Sequence, residues 1–590
     1  MYLQWFHRQQ KAIITVCVGV VFLTGTCLQC IGAWQDSQTS DEAVHLTAGY
    51  SYLRTGDFRV NPEHPPLVKV LAAIPLLFVP GLQLQTHDPA WQLGSLNEWG
   101  LSARFLYDNI VPARLLMFLG RLPMIVLWFG LAGLIWWWAR QRWSAAAGLL
   151  GLVFFVFDPN FLGHGHLVTT DVGVSLGIFA SVWAADRYFR RSTWANLGVL
   201  SAIFALTQLT KFSALILWLI IPLLGLIRLA YRPPWPSRFF WRMMGGLIFA
   251  TAVFSWIIYG FHSQSMTHDF RFQQLWQARQ LLVGDSLADQ PTLIQHLVHW
   301  TEPTAFLGRL VSFLKPIPIP AYNYWSGLLT LMSHDYWGHP AYLFGQTSTT
   351  GWWYYFPIAM LLKTPLVSLV ALLMVAGIGL TRWIRRRRQL HRWPHIPFEA
   401  YVFGLPPLVY ILWSFTSHIN IGLRHIFPVY PFLFLGIASL AAVKTTRAPG
   451  WWRGFLIAGG LFITMTALRS WPNTIGYFNA AAGGTRNGTR YLLDSNIDWD
   501  QDFWRLRAWL DQQHFRRVHI SLFGSIPLEN VFPEALPVLT SDMVDRGSVP
   551  QDIVITSVNL LYNPDDRLQW LQSYQPRWRI GSSIYVYDFR

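Results

Sequence analysis

The chain has 590 residues, of which 53% are hydrophobic and only 13% are charged. Soluble domains carry about a quarter charged residues, so this composition excludes an ordinary soluble enzyme and predicts a polytopic α-helical membrane protein. The net charge of +15 does not indicate a nucleic-acid partner, because the basic residues lie in short loops between apolar runs. Basic loops of this kind orient a membrane protein with the loops in the cytoplasm.

Apolar runs with lengths near that of a membrane span recur along the whole chain. About eleven spans are predicted, at 12–34, 113–139, 144–157, 169–186, 194–210, 212–230, 243–261, 354–380, 398–416, 422–443 and 454–471. With the N-terminus inside, the basic loops all become cytoplasmic and the C-terminus lies outside. We therefore expect a multi-pass protein of the plasma (inner) membrane, with a first external loop at 35–112 and a large one at 262–353.

The first external loop opens with a polar segment from Asp41 to Lys69 that is dense in acids, histidines and prolines. Ser40 can cap a helix whose first turn holds Asp41 and Glu42, where the helix dipole favours acids. Asp41 and His45 then share one face of that helix. A simple cap explains one carboxylate, but two acids and a histidine beside a membrane favour a functional site.

The sequence PEHPPL at 62–67 follows in the same loop. Its prolines predict the rigid start of a helix lying along the membrane surface. Glu63 and His64 would then lie at that helix N-terminus, where anions bind, or could hold a divalent ion. The alternative is a rigid turn with solvated charges.

Further polar residues fall on the external side of the predicted topology. His164 and His166 are weak metal-ligand candidates in a Gly-rich loop, and Asp171 is an acid at the mouth of a span. Lys211 breaks the positive-inside pattern, which suits a phosphate partner, although snorkelling is an equal alternative.

Arg424 and His425 begin a later predicted span. Arginine offers bidentate donors to phosphate oxygens. We therefore favour a ligand-binding role for this pair.

The chain changes character after the last predicted span, and we divide it into a transmembrane module at 1–471 and an extracytoplasmic α/β domain at 472–590. Residues 498–512 predict an amphipathic helix. Residues 517–524, 552–558 and 583–589 predict strands.

Five places in the chain form a joint pattern: Asp41-Glu42; Glu63-His64-Pro65-Pro66-Leu67 with Lys69; Thr170-Asp171; Thr210-Lys211; and Gly422 to Pro431 with residues 494–501. Together they resemble polyprenyl-phosphate-sugar-dependent glycosyltransferases of the GT-C fold, nearest to the protein O-mannosyltransferase type (glycosyltransferase family 39) and its bacterial lipid-carrier-dependent branch. The loop 262–353 shows no clear β-trefoil of the eukaryotic members.

The resemblance implies inverting transfer of a hexose-type sugar from a polyprenyl-phosphate donor to an acceptor hydroxyl on the external face. It makes Asp41 the catalytic base with support from Glu42, and Glu63 and Asp171 the residues that orient the donor or a metal. The residues implied to bind the donor phosphate are His64, Lys69, Lys211, Arg424 and His425.

The partners implied are the lipid-linked sugar, the bilayer, and an acceptor that is a protein, a lipid or a glycan. No cofactor is required by the spacing, although a divalent metal held among Glu63, His64, His164 and His166 stays open. A transporter or flippase is the main alternative function, but such proteins usually carry ionisable residues near mid-bilayer and often contain repeats. A non-catalytic scaffold would leave the first loop unexplained.

Overall fold

The structure is a computed structural model that describes residues 2–231, 235–261, 263–264, 316–390, 396–443, 449–513, 515, 517–537, 552–562 and 568–590. For residues 2–8, 10, 11, 264, 390 and 449 it describes the backbone only. Most of the large predicted external loop, at 262 and 265–315, therefore lies outside the described residues.

Helices dominate the fold. The α-helices are Tyr2–Gln35, Ser40–Thr55, Leu67–Ala73, Pro89–Leu93, Glu98–Tyr107, Ala113–Arg142, Ala145–Val156, Pro159–His164, Thr170–Arg190, Trp194–Gln208, Leu217–Ala230, Ser237–Ile258, Tyr322–Trp337, Tyr355–Lys363, Leu366–Leu390, Phe398–Ser414, Tyr430–Ala438, Pro449–Ser470, Phe503–Leu510, Leu528–Val531 and Val558–Tyr562. The 3-10 helices are Ile74–Phe78, Gly94–Leu96, Phe212–Ile216, Leu423–Val429, Ser439–Ala442, Ala480–Ala482, Thr485–Arg490, Asp494–Asn496 and Gln569–Ser573.

Within the described residues, seven helices are long and apolar enough to cross a membrane by length and composition. They are Ala12–Gln35, Ala113–Arg142, Phe212–Ala230, Ser237–Ile258, Leu366–Gln389, Leu423–Ala442 and Gly450–Ser470. The fold class of a polytopic helical membrane protein is thereby confirmed.

Other predicted spans are helical but are not long or apolar enough to count among these seven; Ala145–Val156, for example, has only 12 residues. The predicted span 354–380 is divided in two after Lys363, and only its second part belongs to one of the seven helices. Pro365 lies at this break. A proline fits the start of the second helix, because a backbone N–H at that position would have no partner within the helix.

The helix ends form two groups. At one end, the Arg121 side chain reaches the carbonyls of Ala33 and Asp36 at 2.9 and 2.7 Å. At the other end, the Arg190 side chain contacts Glu399 at 3.0 Å. Arg190 belongs to a loop that the sequence predicts to be cytoplasmic, and the orientation of the loops stays a prediction.

The first loop folds into a compact unit against the bundle. The helix begins at Ser40 and its N-cap is Thr39, not Ser40 as predicted, because Thr39 N donates to Glu42 Oε2 at 2.8 Å. The helix Ser40–Thr55 packs on Leu67–Ala73, which follows the paired prolines as predicted. Their contact is so close that a Cβ at Gly49 would lie 1.9 Å from Lys69 O.

The C-terminal part contains a five-stranded sheet in the order Ala535–Leu536, Val518–Ser521, Ile553–Ser557, Ile584–Asp588, Trp578–Ile580. Its first two pairings are parallel and its last two antiparallel. The three predicted strands are thus confirmed. Short antiparallel strand pairs lie elsewhere, at Ser263–Gln264 with Ile319–Pro320 and at Ala341–Leu343 with Gln346–Ser348.

The helix predicted at 498–512 is shorter, at Phe503–Leu510, and buries its apolar face against the sheet. The segment before it lies on the helical bundle instead. Lys363 Nζ, from the bundle, donates to the carbonyls of Ile475 and Asn496 at 2.9 and 2.5 Å. The predicted domain boundary at 472 stays a prediction.

The close helix contact at Gly49 generates a first prediction. We expect Gly49→Ala to lower the unfolding temperature in detergent, because the new Cβ would clash with the backbone of Lys69. A backbone atom cannot move aside by a change of rotamer. Overpacking of this kind costs about 1–3 kcal/mol. Gly19→Ala is the matched control, since nothing lies within 4 Å of a Cβ there. Equal unfolding temperatures for the two variants would contradict the packing described.

Candidate functional site

Four charged side chains from distant parts of the chain meet at one end of the bundle. Arg424 Nη1 lies 2.9 Å from Asp41 Oδ2 and 3.5 Å from Asp171 Oδ2. Lys211 Nζ lies 2.6 Å from the other oxygen of Asp171. These four side chains, here called the charge cluster, were all predicted as site residues.

The charge cluster is built at helix ends. Asp41 and Asp171 each lie in the first turn of a helix, Ser40–Thr55 and Thr170–Arg190, where backbone N–H groups and the dipole stabilise a carboxylate. Lys211 is the N-cap of a 3-10 helix. The side chain of Asp41 is 26% exposed and that of Asp171 only 1%, so Asp41 is the carboxylate that a ligand can reach.

Arg424 is oriented by the C-terminal segment. Its Nε donates to Ser495 Oγ at 3.1 Å, and its guanidinium lies 4.0 Å from the centre of the Trp499 ring. A ring at this distance holds the guanidinium plane by a cation–π contact. Both partners belong to the segment 494–501, but nothing in the sequence indicates which residues of this segment contact Arg424.

Two histidines line the cluster. His45 lies one turn beyond Asp41, with its Nδ1 2.9 Å from Val168 O, and its ring centre is 5.3 Å from that of His64. Burial lowers the pKa of His45 to about 4, against the opposing effect of Asp41. Burial and the neighbouring positive charges also hold the pKa of His64 well below its usual range. Both rings are therefore neutral at pH 7.

His425 lies next to Arg424 in the 3-10 helix Leu423–Val429. Its carbonyl accepts a hydrogen bond from Tyr410 Oη at 3.0 Å. Its ring Nε2 is buried and makes no hydrogen bond within the described residues. The ring thus has a free nitrogen close to the charge cluster.

Glu63 pairs with His334 and not with His64. The Oε2 atom of Glu63 lies 3.5 Å from Nδ1 of His334. The hydrogen bond to Glu63 raises the pKa of His334. Both side chains are about one-third exposed, at 32% and 34%. His334 belongs to the helix Tyr322–Trp337. Nothing in the sequence connects this helix with Glu63.

The four candidate metal ligands are not brought together. His164 Nδ1 contacts Asn160 O at 3.0 Å, whereas His166 lies between Gln29 Oε1 and Asp36 Oδ2 at 2.9 and 3.1 Å. In the part of the chain that the structure describes, no three His, Cys, Asp or Glu side chains form a group that could hold a metal ion. Within the described residues, these four side chains therefore do not form a metal site.

Lys69 is fully buried and engaged by the protein. Its Nζ donates to Tyr52 Oη at 2.9 Å and to the carbonyls of Asn61 and His64 at 2.6 and 2.7 Å. Three N–H groups are all that an ammonium offers. The side chain thus ties the turn at 61–64 to the helix Ser40–Thr55.

Glu42 is also fully buried and pairs with Arg121, which is equally buried. Glu42 Oε1 accepts from Arg121 Nε at 2.9 Å and from Val168 N at 2.7 Å, and Oε2 accepts from Arg121 Nη2 at 2.5 Å. Together with Thr39 N, these donors saturate the carboxylate. Arg121 is not among the predicted site residues, although an arginine inside the predicted span 113–139 is a usable signal of a functional role.

Asp500 contacts the same helix start from the C-terminal segment. Its Oδ2 accepts from Ser40 Oγ at 2.9 Å and from Ser525 N at 3.0 Å. Burial raises the pKa of Asp500 to about 7, although both hydrogen bonds act in the opposite direction. Ser40, the residue before Asp41, therefore donates a hydrogen bond to a carboxyl group whose pKa is about 7.

Comparison with known proteins finds no matching family model and no matching curated protein. Among solved structures, ArnT from Cupriavidus metallidurans in the apo state is 11% identical over 98% of each chain, with a TM-score of 0.39. The structure of the same protein bound to undecaprenyl phosphate has a TM-score of 0.37 and is again 11% identical, over 96% of this chain and 97% of that chain.

The archaeal oligosaccharyltransferase AglB from Archaeoglobus fulgidus, in complex with an inhibitory peptide and a dolichol-phosphate, is 11% identical over 96% of this chain and 73% of its own, with a TM-score of 0.43. Because their TM-scores are below 0.5, these likenesses carry no argument about the activity of this chain.

The buried pair of Glu42 and Arg121 generates a second prediction. We expect Glu42→Gln to destabilise the protein by about 3–5 kcal/mol, because it leaves the Arg121 guanidinium buried without its counter-ion. Thermal unfolding in detergent, followed by tryptophan fluorescence, measures this. The control is Glu399→Gln, whose partner Arg190 is 44% exposed, and it should cost about 1 kcal/mol or less. Equal losses in the two variants would contradict the role of Glu42.

Asp500 generates a prediction about pH. Its folded-state pKa of about 7 lies above its ordinary value of 3.8, so folding takes up a proton in this range. The resulting stability is fully present below about pH 4 and is lost as pH rises to about 7. We expect Asp500→Asn to flatten the decline of the unfolding temperature between pH 5 and pH 8.

The control for this pH experiment is Asp511→Asn, which removes a carboxylate that is 62% exposed. Its decline with pH should match that of the wild type. An unchanged decline in Asp500→Asn would show that this carboxyl group does not titrate in the range.

Proposed function

We propose that the chain is an inverting glycosyltransferase that moves a sugar from a polyprenyl-phosphate donor to an acceptor hydroxyl at the membrane surface. The observation that carries this proposal is the charge cluster. It sets one reachable carboxylate, Asp41, beside two cations, Arg424 and Lys211, at one end of an apolar helical bundle. Base and phosphate-binding groups are what this reaction requires.

In the proposed reaction the acceptor hydroxyl attacks the anomeric carbon of the sugar. A carbon–oxygen bond forms to the acceptor as the bond to the phosphate oxygen breaks. Asp41 accepts the hydroxyl proton, and the lipid phosphate leaves with the electron pair of the broken bond. Asp41 suits the base because its side chain is partly exposed, at 26%, whereas Glu42 is fully buried and saturated by donors.

The phosphate is assigned to Arg424 and Lys211. Arg424 uses Nη1 for the two carboxylates and Nε for Ser495, while its Nη2 makes no hydrogen bond within the described residues. That group can therefore receive a phosphate oxygen, and charge-assisted contacts of this kind are strong. Cations held in place before the reaction stabilise the leaving phosphate as its charge grows.

The remaining predicted site residues position the reacting groups or border the donor site. Lys69 and Glu42 position the first loop, because their polar atoms are occupied by the protein. Asp171 holds Lys211 and Arg424 in place. The neutral ring of His64 and the ring of His425 border the donor site and supply hydrogen-bonding nitrogens.

We place the reaction on the extracytoplasmic face of the plasma (inner) membrane, since the loops at the opposite end of the bundle are the basic ones. The protein O-mannosyltransferase type and a hexose donor follow from the sequence resemblance. The acceptor class, protein, lipid or glycan, stays open between these alternatives.

Asp41→Asn tests this proposal. The asparagine keeps the shape of the side chain but cannot accept the proton, so transfer should fall by about 100-fold or more. The assay follows transfer from a radiolabelled polyprenyl-phosphate sugar by the full chain reconstituted in liposomes. Donor binding and the unfolding temperature should be retained.

The matched control is Asp57→Asn, which removes a carboxylate of the same loop that is 32% exposed and paired with Arg59. It should transfer at the wild-type rate. Full activity of Asp41→Asn would refute the assignment of the base. Movement of the donor across the bilayer without transfer or hydrolysis would favour the transporter instead.

A further inference from the structure

A cavity of 550 Å³ lies at the far end of the bundle from the charge cluster. It opens between the C-terminal ends of the helices Ala113–Arg142 and Thr170–Arg190. Its lining combines arginines and tryptophans, chiefly Arg142, Arg187, Arg190, Arg191, Trp137 and Trp183. The proposed glycosyl transfer uses none of these side chains.

The helix Thr170–Arg190 fixes the depth of this cavity. It has Asp171 of the charge cluster in its first turn and Arg190 at its end, over 21 residues. At 1.5 Å per residue this is about 30 Å, the thickness of the hydrocarbon core of a bilayer. The cavity therefore lies at the level of the head groups on the opposite membrane surface.

The cavity has more positive than negative charge. Asp186 is its buried acid and already pairs with Arg142 and with Arg190, the latter at 3.1 Å. Arg187 and Arg191 are exposed and form no ion pair with a carboxylate in the described part of the chain. Two guanidinium groups are thus left to receive an anion.

The aromatic side chains indicate what kind of anion fits. Trp137 is 43% exposed although it lines the cavity, and Trp183 lies beneath the Arg187 guanidinium at 5.7 Å. Tryptophans at the level of the head groups contact the boundary between glycerol and acyl chains. A soluble anion would use the arginines but would leave the exposed part of the Trp137 ring uncovered.

We propose that this cavity is a binding site for an anionic phospholipid of the opposite leaflet. The lipid phosphate pairs with Arg187 and Arg191, and the start of an acyl chain packs on Trp137 and Trp183. Basic pockets between membrane helices bind anionic head groups in this way. The site shares no side chain with the charge cluster and lies about 30 Å from it.

The test measures lipid binding by the full chain in neutral detergent with native mass spectrometry, using phosphatidylglycerol and phosphatidylcholine as probes. The wild type should retain phosphatidylglycerol preferentially. The double variant R187Q/R191Q should bind it about thirty-fold more weakly, because each arginine near an anionic lipid contributes about 1 kcal/mol. Arg187→Lys with Arg191→Lys should keep most of the preference, since the charges remain.

The matched control is R385Q/R386Q, which removes two exposed arginines outside the cavity and should keep the wild-type preference. An equal loss in this control would show that the effect is one of general charge and would overturn the proposal. A wild-type preference in R187Q/R191Q would overturn it directly. If inorganic phosphate displaced the lipid at millimolar concentration, the cavity would be a site for free anions and the assignment to a lipid would fail.

Discussion

The buried ion pair of Arg121 and Glu42 holds the candidate site together. Removing two such charges from water is costly, and the cost is offset only where the remaining N–H groups and lone pairs are all satisfied. Here each guanidinium N–H has a partner, because Nη1 and Nη2 also donate to the carbonyls of Ala33, Asp36 and Ser37. The end of the first helix, the start of the second and the backbone at Val168 are thereby fixed to one another.

The charge cluster depends on this frame, since Asp41 is the immediate neighbour of Glu42. The cluster pairs two carboxylates with two cations, and Arg424 is shared between both carboxylates. A donor phosphate bound at Nη2 would share the positive charge of Arg424 with Asp41, which contacts Nη1. Under the proposed function, donor binding therefore weakens the ion pair that occupies the base, so that Asp41 becomes free to accept a proton as the reactive complex forms.

The sequence predicted the members of the cluster but not the supports around it. Asp171 and Lys211 could be found because charged residues at the ends of apolar runs have few structural uses. The role of Glu42 could not, since its partner Arg121 is 79 positions away and only folding shows that the pair is saturated. Lys69 was assigned to phosphate for the same reason: a sequence shows a cation but not the carbonyl oxygens that already surround it.

The two ends of the bundle differ in how their charges are balanced. The charge cluster pairs two carboxylates with two cations and has no net charge, with Asp171 at the N-terminus of the helix Thr170–Arg190. The opposite end of the same helix carries the surplus arginines, and both arrangements suit the direction of the helix dipole. Because one continuous helix connects the ends, a lipid phosphate bound at Arg187 and Arg191 would fix the height of Asp171 in the bilayer. The reacting group of a membrane-bound donor sits at a set depth, so anchoring the far end of this helix helps the cluster meet it.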